Sequence, residues 1–381
     1  MALSRRKSIA LIGGGVVFAA ASGAALAVTR RPKTAFAPWN DAGDYDDPRM
    51  RALSYALLAP NPHNRQPWLV DLSEPDRAVL YVDTEKLLPH TDPFGRQIII
   101  GLGCFLEVMR LAALEDGLHV AFDLFPEGSD AAALDARPVA LCRFAPTTAA
   151  KDPLFQQVPF RRTLKEPYDT ERRVPRDALE RIATVAIHGS RIGVTDDVDE
   201  VAAMCDLSAE AFLIEFHNDR TYKESVDLFR IGHREVDANP DGIDLAGPLF
   251  ETLHMTGLFS RQAALDRDSM SYKSGESMVL ANVMTAVAHL WQVTSGNSRE
   301  EQIRAGQDWV RINLAATAEG VGLQPLSQGL QEYPEMAAIY DGLHETLAPE
   351  GGTVQMWCRL GYGPDVPASP RWPLESKLLN A

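Results

Sequence analysis

Apolar residues recur at helical spacing through Met50–Leu58, and more densely through Ile98–Glu115. Between them, Leu69–Leu72 and Val79–Val82 read as short strands joined by a Ser-Glu-Pro-Asp turn. Gly117 is placed to end the long helix. His119–Phe125 then alternates as a strand would, and Val139–Phe144 is a second strand candidate. After residue 150 the pattern starts again. A helix is predicted over Pro175–Val185, a strand over Ile187–Val194 and a helix over Val198–Phe216. Ser277–Trp291 and Glu300–Glu319 read as two further helices, and Val354–Leu360 as a late strand. Tyr222–Phe259 keeps no steady period and contains the turn Asn239-Pro240-Asp241-Gly242. A polar, turn-rich stretch of that length suits a lid crossing a site.

One internal similarity organises this list. Leu-Ala-Ala-Leu-Glu-Asp-Gly closes the first long helix at 111–117, and Leu-Ala-Ala-Thr-Ala-Glu-Gly closes the last at 314–320. The match puts equivalent helices in two halves, as a duplicated and fused ancestor would. The expected organisation is a first half at 49–150 and a second at 151–381, with a lid at 222–259. Residues 28–48 read as a linker.

Residues 1–27 read as a targeting segment. Arg5-Arg6-Lys7 precedes an uncharged run, Ile9–Val28, and Ala25-Leu26-Ala27 has the small-x-small form of a cleavage site. Paired arginines before a mildly apolar stretch resemble a twin-arginine export signal, with the export machinery as partner. A run of this length also suffices for a single membrane anchor. The expected location is periplasmic or membrane-anchored.

Composition narrows the partners. The 381 residues are 45% hydrophobic and 23% charged, ample for a large core, with net charge −15. An acidic chain repels phosphate backbones, so nucleic acid is not an expected partner. It does not exclude a small anion held by a local basic cluster. The four cysteines form no C-x-x-C pair and read as buried thiols, with no disulfide assignable.

Four segments carry candidate chemistry. Ala59–Trp68 reads Ala-Pro-Asn-Pro-His-Asn-Arg-Gln-Pro-Trp. Its prolines leave few conformations to lose, and Asn61, His63, Asn64 and Gln66 can meet a flat polar ligand. It is equally a stiff turn whose amides satisfy local backbone groups. Arg161, Arg162, Thr163 and Lys165 combine guanidinium forks, a hydroxyl and an ammonium suited to phosphate, or form a solvated basic patch. Pro325, Leu326, Ser327 and Gln328 make a turn that brings backbone N–H groups near a planar edge, or simply leave a helix. Arg371 stands in a stiff, proline-rich tail. No G-x-G-x-x-G, Walker A loop, H-E-x-x-H or G-x-S-x-G is present. The scattered histidines suggest no metal site. His233 and Glu235 share the irregular stretch, but nothing makes them a pair.

Together these segments resemble the FMN-dependent nitroreductase family. Ala59–Trp68 is similar to its A-P-S-x-x-N-x-Q-P-W loop, and Arg161–Lys165 to its R-x-S-x-[RK] motif. Ala315–Gly329 is similar to its helix followed by G-L-x-x-x-P-I-x-G. Arg359–Gly363 and Ser369–Pro373 resemble its closing strand and tail. Here the loop precedes the basic motif, as in the Acg-like branch, where two nitroreductase-like halves are fused. Leu88–Arg96 also resembles that branch. Asn61, Leu164, Ser327 and Gln328 depart from the family pattern. The resemblance implies an α+β, nitroreductase-like fold, duplicated into a pseudo-dimeric monomer. It implies FMN held between the halves, one per chain: Asn61, His63, Asn64 and Gln66 near the flavin, Arg161, Arg162, Thr163, Lys165 and Arg371 at its phosphate, Pro325–Gln328 along its ring edge. It implies an oxidoreductase passing hydride or electrons through flavin N5 to a small acceptor, from an unknown donor. No catalytic side chain is implied, because the cofactor carries the chemistry. The alternative is a flavin-binding envelope protein that sequesters the cofactor without turnover.

Overall fold

The computed structural model describes residues 32–380. The expected targeting segment lies outside the described residues. The first half runs α1 (Ala37–Asp41), α2 (Pro48–Ala56), β1 (Trp68–Asp71), β2 (Arg77–Val82), α3 (Arg96–Glu115), β3 (Leu118–Leu124) and β4 (Ala140–Pro146). The second begins with α4 (Arg176–Ala183) and β5 (Arg191–Thr195). It is then interrupted by α5 (Val198–His217), α6 (Asp219–Asp227), β6 (Phe229–Ile231), α7 (Gly232–Ala238), β7 (Ile243–Leu245), α8 (Pro248–Met255), α9 (Arg261–Leu265) and α10 (Met270–Val283). It resumes with β8 (Ala288–Thr294), α11 (Arg299–Ala318), β9 (Gly322–Pro325), α12 (Ala337–Leu347) and β10 (Thr353–Gly361).

The duplication is visible in the strand order. One sheet runs β1-β2-β4-β3 and the other β5-β8-β10-β9. Replace each strand by its counterpart, and the two orders are the same. Every pairing in both sheets is antiparallel. Each half places a long helix between its second and third strands.

Those helices, α3 and α11, pack on each other through matched glycines. Gly103 is the eighth residue of Arg96–Glu115, and Gly306 the eighth of Arg299–Ala318. A Cβ on Gly103 would overlap the carbonyl of Ile303, and one on Gly306 would overlap the carbonyl of Ile100. Such reciprocity is the mark of a two-fold axis, here inside one chain. The Cys104 thiol donates to the Gly306 carbonyl at 3.1 Å. Local signals start both helices. Asp92 accepts from the N–H groups of Gln97 and Ile98, and Ser298 and Glu301 form a capping box. Both end at a left-handed glycine, Gly117 and Gly320. Helix α3 is apolar and long enough to cross a membrane, but nearly all of it is buried in the core shared by the two halves.

Four expectations change. The helix expected at Ser277–Trp291 ends at Val283, and Ala288–Thr294 is a strand. β8 lies between β5 and β10 and is buried almost throughout, so its apolar run lacks the alternation of a half-buried strand. Tyr222–Phe259 is ordered rather than irregular, carrying helices α7 and α8, the end of α6 and the parallel β6–β7 pair. These elements are too short to show a period. Gln324–Pro325 ends a strand, β9, on the sheet edge. The described part of the 28–48 stretch carries α1, and the N–H groups of Lys33, Thr34 and Ala35 are bound by Asp237 of α7. The four cysteines are free and buried.

Gly306→Ala should lower unfolding stability by at least about 2 kcal/mol, because the helix backbones must separate. Gly275→Ala, at an open position on α10, should instead stabilise by up to about 1 kcal/mol. Urea denaturation of both variants checks the crossing; a neutral Gly306→Ala would show that the glycine contact does not fix the halves.

Candidate functional site

The Ala59–Trp68 loop leaves the end of α2 in an unusual backbone. His63, Asn64 and Gln66 have φ of 46°, 52° and 51°. Left-handed backbone costs a non-glycine residue about 1–3 kcal/mol unless its surroundings impose it. Here they do. Asn61 Oδ1 accepts from the Gln66 N–H at 2.7 Å. Gln66, fully buried, donates to the Pro240 carbonyl at 2.7 Å and accepts from the Trp372 N–H at 2.9 Å. Asn64 accepts from Arg371 at 2.6 Å and donates to the Pro370 carbonyl at 2.9 Å. Lys377 donates to the Gln66 carbonyl at 2.9 Å. The loop is therefore clamped by the C-terminal tail and by the insert between β5 and β8.

Asn61, Asn64 and Gln66 thus spend their side chains on the protein itself. Among the described residues the His63 side chain makes no hydrogen bond. Burial, then Lys165 and Arg65, holds its imidazole down at about 4, so it is neutral at pH 7.

The basic segment lies against this loop. Arg161 is buried, and its Nη2 reaches the Leu58 carbonyl at 3.4 Å while Nη1 is buried with no partner. Burial, then the neighbouring Arg162, lowers its pKa to about 10. Arg162 lies over the Trp39 ring at 4.5 Å. The Lys165 ammonium and the Thr163 hydroxyl make no hydrogen bond among the described residues. Lys165 is accessible, yet surrounding protein desolvates it and lowers its pKa, with Asp244 of β7 opposing.

Arg371 completes the cluster by charge. Its donors reach the carbonyls of Leu57, Leu58, Ala59 and Pro370 and the side chain of Asn64. It therefore caps the carbonyl end of α2 and keeps no free fork for a ligand. Burial, then Arg161 and Arg162, takes its pKa well down. Arg161, Arg162, Lys165 and Arg371 form no ion pair among the described residues, although the chain carries net charge −15.

Pro325–Gln328 is held to the basic segment by a residue whose role its sequence does not reveal. Arg359, fully buried on β10, donates to Gln324 Oε1 at 2.6 Å, to Thr285 Oγ1 at 3.0 Å, and to the carbonyls of Lys165 and Glu166 at 2.9 Å each. Its guanidinium lies over the Tyr168 ring at 3.9 Å. The Leu164 N–H also bonds the Leu323 carbonyl of β9. Leu326 turns its side chain into the core under α12, and its N–H bonds the Trp357 carbonyl. The Ser327 and Gln328 side chains are half-buried and make no hydrogen bond among the described residues. The loop, in turn, packs on α3, where a Cβ on Gly101 would meet Asn61 and Pro62.

No protein-family model matches the chain. It is 25% identical over 327 residues, 84% of its length, to "Putative NAD(P)H nitroreductase Rv3131" of Mycobacterium tuberculosis, and spans 87% of that protein. It is 33% identical over 79 residues, 21% of its length, to "Putative NAD(P)H nitroreductase acg" of the same species, spanning 24% of that protein. Over most of its length the chain is therefore similar to a putative NAD(P)H nitroreductase. Among solved structures, the FMN-dependent nitroreductase NfnB of Mycobacterium smegmatis, in complex with NADPH, matches at 18% identity, covering 58% of this chain and 94% of its own, with TM-score 0.34. The duplication rests on this chain's own sheet orders and helix crossing.

Within that architecture, the loop of the first half meets the basic segment of the second. The Lys165 charge acts on His63, and Arg161 Nη1, the Thr163 hydroxyl and the Lys165 ammonium make no hydrogen bond among the described residues, while Asn61, Asn64, Gln66 and Arg371 build the frame. Trp39, between Arg162 and Arg371, and Arg359 belong to this site as well. His233 pairs with Glu251, and Glu235 accepts from the Ile231 N–H and pairs with Arg261, so neither reaches the cluster.

The His63 shift has a consequence for stability. An unfolded histidine takes its proton near pH 6.5, the folded one near 4. As pH falls from about 6.5, the unfolded chain binds a proton there that the folded chain does not, so stability drops and levels off below about 4. His63→Gln should flatten part of that loss. His289, held near 3 by burial, contributes with the same sign and stays in both proteins. Denaturation curves from pH 7 to 4 isolate the difference; identical slopes would place His63 in ordinary solvent.

Proposed function

We propose that the chain is an FMN-dependent oxidoreductase of the nitroreductase type, passing electrons from a small donor to a small acceptor. The observation that carries this is a cation cluster with no ion pair among the described residues: a buried guanidinium with an unpartnered Nη1, an unpaired ammonium and a free hydroxyl, in an acidic chain. Charge-assisted hydrogen bonds to a phosphate are what such a set is suited to. Arg161, Thr163 and Lys165 would hold the phosphate of FMN, and Arg162 and Arg371 would add charge. His63, Ser327 and Gln328 are the unspent polar groups left for the ring. When bound, FMN supplies hydride and electron transfer; the chain's part is to bind it, orient it and exclude water. Arg359 fixes the spacing between the phosphate segment and the Pro325 turn.

One cofactor per chain fits the asymmetry of the halves. The second-half counterpart of the loop, near residues 184–190, is closed onto a fully buried carboxylate. Asp308 accepts from the N–H groups of Ile187, His188 and Ser190 at 2.7, 2.8 and 3.1 Å. Beside it, Glu107 is fully buried between Arg110 and Arg311. Burial raises the Glu107 pKa, but the Arg110 hydrogen bond and the His188 contact outweigh it and hold the carboxyl near 2. The cations on that side are already neutralised.

A second reading has its own observation. The insert closes on the loop: the Gly242 N–H bonds the Asn64 carbonyl at 3.2 Å, and Asp244 neighbours Lys165. A cofactor under such a cover would be stored rather than turned over. Export through the twin-arginine pathway, cleaved or anchored, belongs to either reading.

Purified full-length chain should be yellow, with one FMN per chain. Arg161→Ala with Lys165→Ala should weaken FMN binding about 100-fold or more, since each charge-assisted hydrogen bond contributes about 1.5–3 kcal/mol. Unchanged retention would remove the phosphate assignment, and absence of flavin would remove both readings. Flavin that dithionite or NADPH reduces, and that a quinone or nitroaromatic reoxidises, supports the enzyme. Flavin that dithionite reduces but no acceptor reoxidises supports storage.

A further inference from the structure

The insert between β5 and β8 carries a face that its packing does not use. Helix α10 turns Tyr272 and Val283 inward. At 100° per residue, its outward face takes in Met270, Ser274, Met278 and Ala281, with Met284 at the cap. Met270 is 77% exposed, Met278 54% and Met284 45%. Lys273 is the one charge on that face, in a chain 23% charged. An outward helix face on a soluble surface is normally charged. The apolar character continues beyond α10, because Ser271 Oγ bonds the carbonyl of Leu258, itself 65% exposed. Several exposed apolar side chains along one helix face mark a candidate site of docking.

The chain's own course says what covers it. Lys33, Thr34 and Ala35 are fixed by their N–H groups to Asp237 of α7, at 2.8, 2.9 and 3.1 Å. α7 is joined to α8 by His233–Glu251 at 2.7 Å, and α8 leads directly to Leu258. The chain preceding Lys33 is therefore tethered to the same insert that bears the apolar face. That preceding chain contains the uncharged run Ile9–Val28, enough residues to span a hydrocarbon layer about 30 Å thick. Four residues separate Val28 from Lys33, so the two are at most about 18 Å apart. Whatever holds Ile9–Val28 is held close to the insert.

We propose that Ile9–Val28 is retained as a membrane anchor and that the face formed by Leu258, Met270, Met278 and Met284 lies on the lipid bilayer beside it. Leucine and methionine enter the acyl boundary, while serine and lysine meet headgroups, as in helices lying in the interface plane. The inference is independent of the flavin reading, because none of these residues belongs to the cation cluster.

The test uses the full chain with Met278→Cys carrying an environment-sensitive fluorophore. The native cysteines are buried and compete little for label. Glu127→Cys, on an exposed turn of the first half, is the control. With phosphatidylcholine vesicles, the label at 278 should shift to the blue and be quenched by lipids bearing nitroxides on their acyl chains, and the label at 127 should do neither. A water-like spectrum at 278 in vesicle-bound chain would overturn the proposal. A blue shift without lipid that grows with protein concentration would overturn it too, assigning the face to a second copy of the chain. So would a purified chain that begins after Ala27 and stays in the supernatant when vesicles are sedimented.

Discussion

The close approach of α3 and α11 at Gly103 and Gly306 sets the geometry of everything else. Two helix backbones that touch leave no freedom to slide or rotate, because any side chain at the contact would hold them apart. The two sheets are built on these helices and so acquire a fixed relation. The end of α2 and the basic segment before α4 then meet across the join. The Arg161 guanidinium reaches the Leu58 carbonyl only because the halves are locked at this distance. The site is a property of the interface, and neither half contains it alone.

Charge distinguishes the two pseudo-equivalent places. Phe105 and Asp308 are both the tenth residues of their helices. Phe105 packs against Trp68, with ring centroids 4.9 Å apart, while Asp308 ties down 187–190. Glu107 and Arg311 fill the same side with opposite charges. A buried carboxylate with its guanidinium partners offers little to a phosphate, since the field it would feel is cancelled at close range. A buried guanidinium with an unpartnered Nη1, such as Arg161, is costly unless an anion joins it. The duplicated fold has therefore kept one cationic place and neutralised the other.

The sequence made some of this legible, for reasons that can be named. The long helices were readable because dense apolar runs end at glycines, and Gly117 and Gly320 do sit in left-handed backbone. The seven-residue similarity marked equivalent helix ends, so the duplication could be seen in letters. β8 was not readable, because a strand covered on both faces looks like any apolar run. In the loop, residue types did not separate lining from framing. Asn64 and Gln66 bond residues 370–372 and 240, and only the fold brings those distant residues alongside. Arg371 looked like a phosphate ligand because its own letter is basic, yet its donors are taken by the carbonyls at the end of α2. Arg359 looked like part of a strand, and only its four acceptors on three segments show that it spaces the site.

The insert follows from the same asymmetry. Between β1 and β2 the chain turns within residues 72–76, while between β5 and β8 it adds a helical layer. That layer is bound to the first half at many points: Glu224 accepts from the N–H groups of His90 and Thr91, Asp241 pairs with Lys86, and Asp237 holds Lys33–Ala35. An element tied so closely to the opposite half resists separation of the halves as well as covering the loop. It acts where a partner subunit would act in a true dimer, by making the relation of the halves independent of concentration. Fusion and insert together make the contact between the halves permanent. The strained backbone at His63, Asn64 and Gln66 can be maintained there because the clamps that impose it, from the tail and the insert, belong to the same chain.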